Sequence, residues 1–334
     1  MRKVTTVVLA VVLTGGIVVG CGLAPSEKSV TNKLATHAQQ LDQQSYKSTA
    51  MMTVQMDNTS QSYYVETWYQ SPDVYRIALG DQNKQIHQII IHNDNGMFVV
   101  SPSLGKVFRF NGNWAQNQGH IYLYDQLLQQ IIDGKEVSMT KKNGIYQFEL
   151  PVTSTNDIVK TQRIQIDAKT LNPKQVQLLD AKKTEIVTLT FQSFTTGTKF
   201  QKSDFDPQSI LAADKSAKET MASADESFGY ITPDALYGDK LQETLQPSNT
   251  DIIMRFTGGK AFTLQEMRPQ SGVAGMANAS LVDLFGVPAV LSGTSNVHDL
   301  TWLNNGVEFS MTSAALSPDE MENIAISTMG QVGK

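Results

Sequence analysis

The strongest constraint on the fold is a two-residue alternation of apolar and polar side chains that begins at Tyr46 and recurs as far as Phe191. In the first segment Ala50, Met52 and Val54 share one side, and threonine and glutamine occupy the other. This period is typical of β-strands with one packed face and one solvated face. The pattern predicts about ten antiparallel strands in residues 30–205, and a sheet of that length tends to curl.

The clearest hairpin lies at Asn143-Gly144, a pair that favours a two-residue type I′ turn. The turn sets the register of its two strands, so Tyr146 is expected opposite Lys141 and Phe148 opposite Met139. These four side chains then share one face.

Two amphipathic helices accompany the strands. Leu34, Ala38 and Leu41 recur at helical spacing near the start of the chain. A second apolar stripe ends at Gly134, a suitable C-cap, and consists of Tyr124, Leu127, Leu128 and Ile131. The helices are the elements available to cover the apolar face of the sheet.

The first residues form a leader rather than part of the fold. A basic start, Met1-Arg2-Lys3, precedes the apolar run Val4 to Val19, a layout typical of a signal peptide. The run ends in Val18-Val19-Gly20-Cys21, which resembles the lipobox of bacterial lipoproteins. The resemblance implies cleavage after residues 1–20, a diacylglyceryl group on Cys21, and residues 21–29 as a lipidated tether with the membrane as partner.

The cysteine count and the net charge exclude several classes of function. Cys21 is the only cysteine, which excludes an intramolecular disulfide and cysteine-based metal or redox motifs. Loss of Arg2 and Lys3 from the 27 basic residues leaves about 25 against 32 acidic residues. This negative balance argues against a nucleic-acid partner and against electrostatic adhesion to anionic lipid.

The chain is long enough for two domains. Residues 206–225 are rich in small and polar residues and are interpreted as a linker. Residues 226–334 are expected to form a small α+β domain. In it Asn305-Gly306 sets a hairpin that places Trp302 opposite Phe309, and Ser317-Pro318-Asp319-Glu320 is a capping box that begins a helix.

The order of elements in residues 30–205 resembles the LolA/LolB-type lipoprotein carriers and related Gram-positive envelope lipoproteins. The segments that carry this resemblance are Trp68–Ile77, Asn95–Val100 and Lys106–Phe110, and the helix at 121–132 occupies the place of the family's lid. The resemblance implies a mainly β protein, with an incomplete antiparallel β-barrel capped by helices. Its apolar cavity would accept acyl chains or a similar ligand, and Arg76 would hold the lid shut.

The expected ligand-binding residues are aromatic or aliphatic side chains of the strands and the lid. They are Trp68, Tyr75, Phe98, Phe108, Phe110, Tyr124, Leu127, Leu128, Ile131 and Phe148. For any one of them an ordinary place in the core is the alternative.

The C-terminal residues Leu300–Val307 and Leu316–Ser327 resemble a domain of unknown function. That domain recurs in extracytoplasmic proteins of Gram-positive bacteria, some of them tied to sporulation. The resemblance implies a position on the outer face of the cytoplasmic membrane; the outer membrane of a two-membrane bacterium is the alternative.

The motifs do not indicate an enzyme, a metal site or a cofactor. The five histidines show no ligand spacing with one another or with a carboxylate cluster. Ser103-Leu104-Gly105-Lys106 matches Ser-x-x-Lys, but it lies in a predicted turn and lacks the partner motifs. Two functions remain: a lipoprotein that binds lipid, an acylated protein or another apolar ligand, and an interaction module that docks envelope partners. An enzyme acting on cell-wall polymer is a distant third.

Overall fold

A computed structural model describes residues 26–56, 59–102, 105–110, 121–152, 158–215, 230–268, 272–276, 279–304 and 307–329. Several predictions fall outside these ranges: the signal peptide, Cys21, the later part of the predicted linker and the Asn305-Gly306 turn. The side chain of Phe110 also lies outside the described part, as do those of residues 272–276.

The first half of the chain contains eleven strands; six follow the first helix and five follow the second. They are β1 (Tyr46–Met56), β2 (Thr59–Gln70), β3 (Val74–Gly80), β4 (Ile86–Asn93), β5 (Gly96–Ser101), β6 (Lys106–Phe110), β7 (Ser138–Lys142), β8 (Ile145–Pro151), β9 (Thr161–Asp167), β10 (Pro173–Leu179) and β11 (Glu185–Thr196). The helices are α1 (Glu27–Leu41), α2 (Tyr124–Asp133) and α3 (Pro207–Lys215).

Eight further strands and one helix make up the second half. They are β12 (Lys240–Ser248), β13 (Asp251–Thr257), β14 (Phe262–Met267), β15 (Gly272–Met276), β16 (Ser280–Asp283), β17 (Pro288–Gly293), β18 (His298–Asn304), β19 (Val307–Ser313) and α4 (Pro318–Thr328). Strand β15 has no counterpart in the expectations from sequence.

The strands form two sheets. A twelve-stranded sheet runs β15-β6-β5-β4-β3-β2-β1-β11-β10-β9-β8-β7, and a seven-stranded sheet runs β12-β13-β14-β19-β18-β17-β16. The larger sheet is antiparallel except where β15 pairs with β6, and it is open rather than closed into a barrel. The mainly β fold with an incomplete barrel is therefore confirmed.

The predicted register of the β7–β8 hairpin is confirmed. Tyr146 pairs with Lys141 and Phe148 with Met139. Both turn residues have positive φ, 51° at Asn143 and 76° at Gly144, as a type I′ turn requires.

Both faces of the twelve-stranded sheet bury apolar side chains along β3 to β6. On β4, Ile90 belongs to the main core, whereas Ile89 and Ile91 lie in a second cluster on the opposite face. We call the face that carries the main core the inner face, which corresponds to the concave side of the predicted barrel, and the opposite face the outer face.

The segment after β11 covers the outer face. Phe205 and Leu211 are buried in the second cluster, and Phe200 and Ile210 pack against it. The first part of the predicted linker is therefore helix α3 docked on the sheet, because its apolar side chains have a surface to cover.

Two predicted local features of the second half are confirmed. Trp302 pairs with Phe309, and their rings stack with centroids 5.0 Å apart. Ser317 and Glu320 form the reciprocal capping box at the start of α4, with Pro318 in the first turn. Such a cap satisfies backbone N–H groups that would otherwise lack partners.

The two halves are joined by backbone and side-chain contacts. Strand β15 extends the first sheet, Gln88 Nε2 donates to the Leu303 carbonyl at 2.7 Å, and Lys106 forms a partly buried ion pair with Glu308. The main core continues from the inner face into the second sheet. The expected separate domain at 226–334 thus shares its core with the first half.

A shared core predicts that both halves unfold together. We expect one transition by differential scanning calorimetry of the chain without its leader, with equal calorimetric and van't Hoff enthalpies. Two resolved transitions would contradict this expectation. Amide exchange in β1 and β19 provides the control, because both strands should open with the same free energy.

A candidate ligand site on the inner face

The inner face offers a broad apolar surface made by alternate residues of nearly every strand. Its side chains are buried, and those of the central strands are Tyr46, Ala50, Met52 and Val54 of β1, Val65 and Tyr69 of β2, Tyr75, Ile77 and Leu79 of β3, and Val187 and Leu189 of β11. A surface of this kind must be covered, since exposed apolar area is unfavourable in water.

Two helices supply part of the cover. Helix α1 buries Val30, Leu34, Ala38 and Leu41, and α2 buries Tyr124, Leu127, Leu128 and Ile131. The residues just before α2, Ile121 to Leu123, are also buried. The helical cover and both predicted apolar stripes are therefore confirmed.

The third part of the cover comes from the second half of the chain. Strands β16 and β17 form a hairpin whose tip, Leu284–Val287, belongs to the main core. At its end Gly286 touches β1 so closely that a Cβ atom there would lie 2.0 Å from Cε of Met52. Sequence reasoning missed this hairpin, because its turn lacks the polar residues that usually mark one.

One carboxyl group lies under the helices. Tyr46 Oη donates to Asp125 Oδ1 at 2.7 Å and accepts the backbone N–H of Tyr124 at 3.0 Å. These bonds fix the start of α2 to β1. Desolvation raises the pKa of Asp125 to about 6, although the tyrosine hydrogen bond acts in the opposite direction.

A second carboxyl group lies at the base of the hairpin tip. Asp283 accepts the hydroxyl of Tyr122 and the backbone N–H of Gly286, the latter at 2.6 Å. Desolvation raises the pKa of Asp283 to about 6. The tip is thereby linked to the segment that precedes α2.

Seven of the ten expected ligand residues lie on the inner face or its cover. They are Tyr75, Phe108, Tyr124, Leu127, Leu128, Ile131 and Phe148. In this closed arrangement each is packed into the core, so their role in binding stays a prediction.

Two of the other three lie elsewhere. Trp68 and Phe98 point to the outer face, where Trp68 stacks on Phe200 with ring centroids 5.2 Å apart. The side chain of Phe110 lies outside the described part. The expectation fails for Trp68 and Phe98 because both alternate with the inner residues of their strands.

Arg76 also lies on the outer face, so the expected lid latch requires correction. Its guanidinium group lies 3.4 Å from Glu66 Oε1 and over the ring of Trp68, 4.5 Å from the centroid. Arg76 follows Tyr75 and precedes Ile77, both inner residues, and therefore cannot face α2 from the same strand. Its contacts join β3 to β2 on the outer face.

The described residues also bear on metal binding and on membrane insertion. In that part of the chain, histidine and carboxylate side chains form no group of three that could hold a metal ion. Among the helices described, none is both long enough and apolar enough to cross a bilayer.

Together these features define an open β half-barrel whose apolar inner face is covered by two helices and a hairpin. A profile of the family described as "Sporulation protein YdcC-like" matches residues 1–205. The Bacillus subtilis (strain 168) protein named "Sporulation protein YdcC" is 33% identical over 298 residues, which cover 87% of each chain. The chain belongs to this YdcC-like family.

Solved structures show more distant likenesses. The Pseudomonas aeruginosa MucA/MucB complex contains a chain with 12% identity and a TM-score of 0.33, covering 89% of this chain and 98% of that one. A LolA superfamily protein from Nitrosomonas europaea has 9% identity and a TM-score of 0.29, covering 55% and 98%. Both TM-scores lie below 0.5, so neither neighbour bears on function.

The buried carboxyl groups predict a pH-dependent stability. Folding raises the pKa of Asp283 from 3.8 to about 6, so its contribution is complete below the lower value and is lost as the pH rises through the higher one. We expect Asp283→Asn to remove roughly 1.5 kcal/mol of the fall in unfolding free energy between about pH 5 and about pH 7.5. Urea denaturation at both pH values measures it.

The matched control is Asp94→Asn, which removes an exposed carboxylate in the β4–β5 turn. Its pH profile should follow the wild type. Equal profiles for all three proteins would show that the proton on Asp283 does not contribute to folding.

Proposed function

We propose that this protein is a membrane-tethered, non-enzymatic lipoprotein that binds an acyl chain or another apolar ligand on the inner face of its half-barrel. The observation that carries the proposal is the cover of that face. It includes three separate elements: α1, α2 and the Leu284–Val287 tip of the hairpin at the edge of the second sheet. Separate elements can open one at a time.

The attachment of α2 supports this proposal. Its polar contacts with the strands and the β9–β10 turn are side-chain mediated, through Tyr46 with Asp125 and through Tyr124 Oη with the Leu171 carbonyl. Moving the helix would break these bonds and apolar contacts but no ladder of the sheet. Elements with this kind of attachment open at a lower free energy than core strands do.

The magnitude of burial is sufficient for a ligand to compete with the cover. Each buried methylene contributes about 0.8 kcal/mol, so a chain of about 14 methylenes gains on the order of 10 kcal/mol before ordering costs. The same apolar surface that packs the lid can therefore pack an acyl chain.

The proposed setting is the outer face of the cytoplasmic membrane of a spore-forming bacterium. The lipobox-like Val18–Cys21 segment supports a lipid tether at Cys21, and the printed name of the 33% identical relative supports a role in sporulation. The expected tether at 21–29 is shortened by α1, which is capped at Ser26. The remaining residues 21–25 would hold the half-barrel within about 20 Å of the bilayer, where acyl chains are available.

The second candidate is the docking module. The observation in its favour is that buried side chains of the chain itself form one continuous main core from α1 to α4. In that case the half-barrel would serve as a scaffold, and its surfaces would bind envelope proteins.

The ligand proposal is tested with residues 22–334, secreted without lipid and titrated with dansyl-labelled undecanoic acid. Phe148→Leu removes a ring from the inner face and should raise the apparent Kd about fivefold, because roughly one methylene of contact or slightly more is lost. Phe98→Leu is the matched control on the outer face and should bind like the wild type.

Native mass spectrometry with organic extraction independently measures whether the same protein carries a bound ligand. A stoichiometric apolar ligand would support the proposal. A ligand-free mass that stays unchanged after incubation with membrane lipids and free lipoprotein, together with no binding of the dansyl probe, would favour the docking module.

The tether is tested separately. Cys21→Ser should abolish incorporation of labelled palmitate and move the protein from the membrane fraction to the soluble fraction, because the acyl chains supply the membrane affinity. Retention of the variant in the membrane fraction would show that another segment anchors it.

A further inference from the structure

We infer that the β16–β17 hairpin is an autoinhibitory plug: its tip, Leu284–Val287, occupies the place of the ligand on the inner face and withdraws when ligand enters. This inference rests on the proposed function and deepens it, because it names the element that controls access. Four features of the hairpin support it.

The first feature is the composition of the tip. Hairpin turns are ordinarily exposed and polar, whereas this turn is Leu-Phe-Gly-Val. Leu284 is fully buried, and Phe285 and Val287 are 8% and 4% exposed. The tip thus presents to the half-barrel the kind of surface that an apolar ligand would present.

The second feature is its fit to the half-barrel. Gly286 touches Met52 of β1 and lies close to the ring of Tyr63 of β2; a Cβ atom would lie 2.0 Å from Cε of Met52 and 3.6 Å from Cδ2 of Tyr63. A side chain at this position would require either the buried end of Met52 or the tip to move. The φ of 97° at this residue independently favours glycine.

The third feature is backbone strain. Phe285 and Gly286 have φ values of 53° and 97°, as in a type I′ turn. The left-handed region is unusual for a bulky aromatic residue, and Asn143 occupies the equivalent position in the β7–β8 turn. Strain of this kind persists only where the surroundings impose it, so the tip holds a conformation that favours release.

The fourth feature is the attachment of the hairpin. Strand β16 has four residues, lies at the edge of the seven-stranded sheet and pairs with β17. Withdrawal of the tip breaks its contacts with Met52 and the Tyr122–Asp283 hydrogen bond. The remaining strands of that sheet can stay paired.

The test compares two glycine-to-alanine substitutions in type I′ turns. Gly286→Ala adds both backbone strain and the clash with Met52, whereas Gly144→Ala adds strain at φ 76° with nothing within 4 Å of the new Cβ. We expect Gly286→Ala to lower the apparent Kd for dansyl-labelled undecanoic acid about tenfold, because the open form becomes more populated. Gly144→Ala should bind like the wild type.

A second measurement follows the hairpin directly, first in the wild type and then in the variant. Hydrogen exchange of the wild-type chain, followed by mass spectrometry, should show faster exchange in residues 280–288 when the probe is bound, while β8 stays protected. In Gly286→Ala the same residues should exchange faster without the probe.

The outcomes separate the plug from the proposed function. Binding of the probe to the wild type with residues 280–288 still protected would overturn the plug and leave the ligand site intact. If the probe binds neither the wild type nor a Gly286→Ala protein with a loosened hairpin, the plug and the proposed ligand site are both overturned. Unchanged affinity in such a loosened variant would overturn the plug.

Discussion

Burial of the inner face of the twelve-stranded sheet is the constraint on which the rest of the structure depends. The alternation that begins at Tyr46 gives the sheet one continuous apolar side, and water disfavours its exposure. Three parts of the chain, far apart in sequence, meet this requirement: α1, α2 and the Leu284–Val287 tip. The second half is therefore held to the first by the same burial that stabilises the sheet, and the two sheets share one core.

Local patterns predicted much of this fold. The Asn143-Gly144 turn fixed the register of its hairpin, and the capping box at Ser317 marked the start of α4, because turn and cap chemistry act over a few residues. Strand β15 and the buried hairpin tip were missed, because the strands they contact, β6 and β1, lie far away in the chain. The tip Leu284–Val287 also has no polar turn residue. The alternation along β2 and β5 also did not show on which face of the sheet Trp68 and Phe98 lie. A period of two gives relative orientation, and only tertiary packing decides which of two apolar sides meets the helices.

The candidate site combines features that would be costly in an ordinary core. Asp125 and Asp283 place carboxyl groups in desolvated positions, each bonded to a tyrosine hydroxyl. Phe285 holds a backbone conformation that bulky residues avoid. Natural proteins tend to keep such costs where a structure must change state. On the outer face, by contrast, Trp68 is packed by Phe200 and by the cation of Arg76, an arrangement suited to a permanent contact.

The position of the hairpin along the chain has a consequence for how the protein is made. Synthesis proceeds from the N-terminus, and the sheet of the first half is nearly complete when Thr196 has emerged. Leu284 arrives only after the whole of the stretch between them. If the first half forms before the second has emerged, the half-barrel carries its helices but lacks the hairpin during that interval, and part of the inner face is then open. Loading during biogenesis would then require no expulsion of the tip, and a ligand acquired at that stage would leave the hairpin undocked in the finished protein.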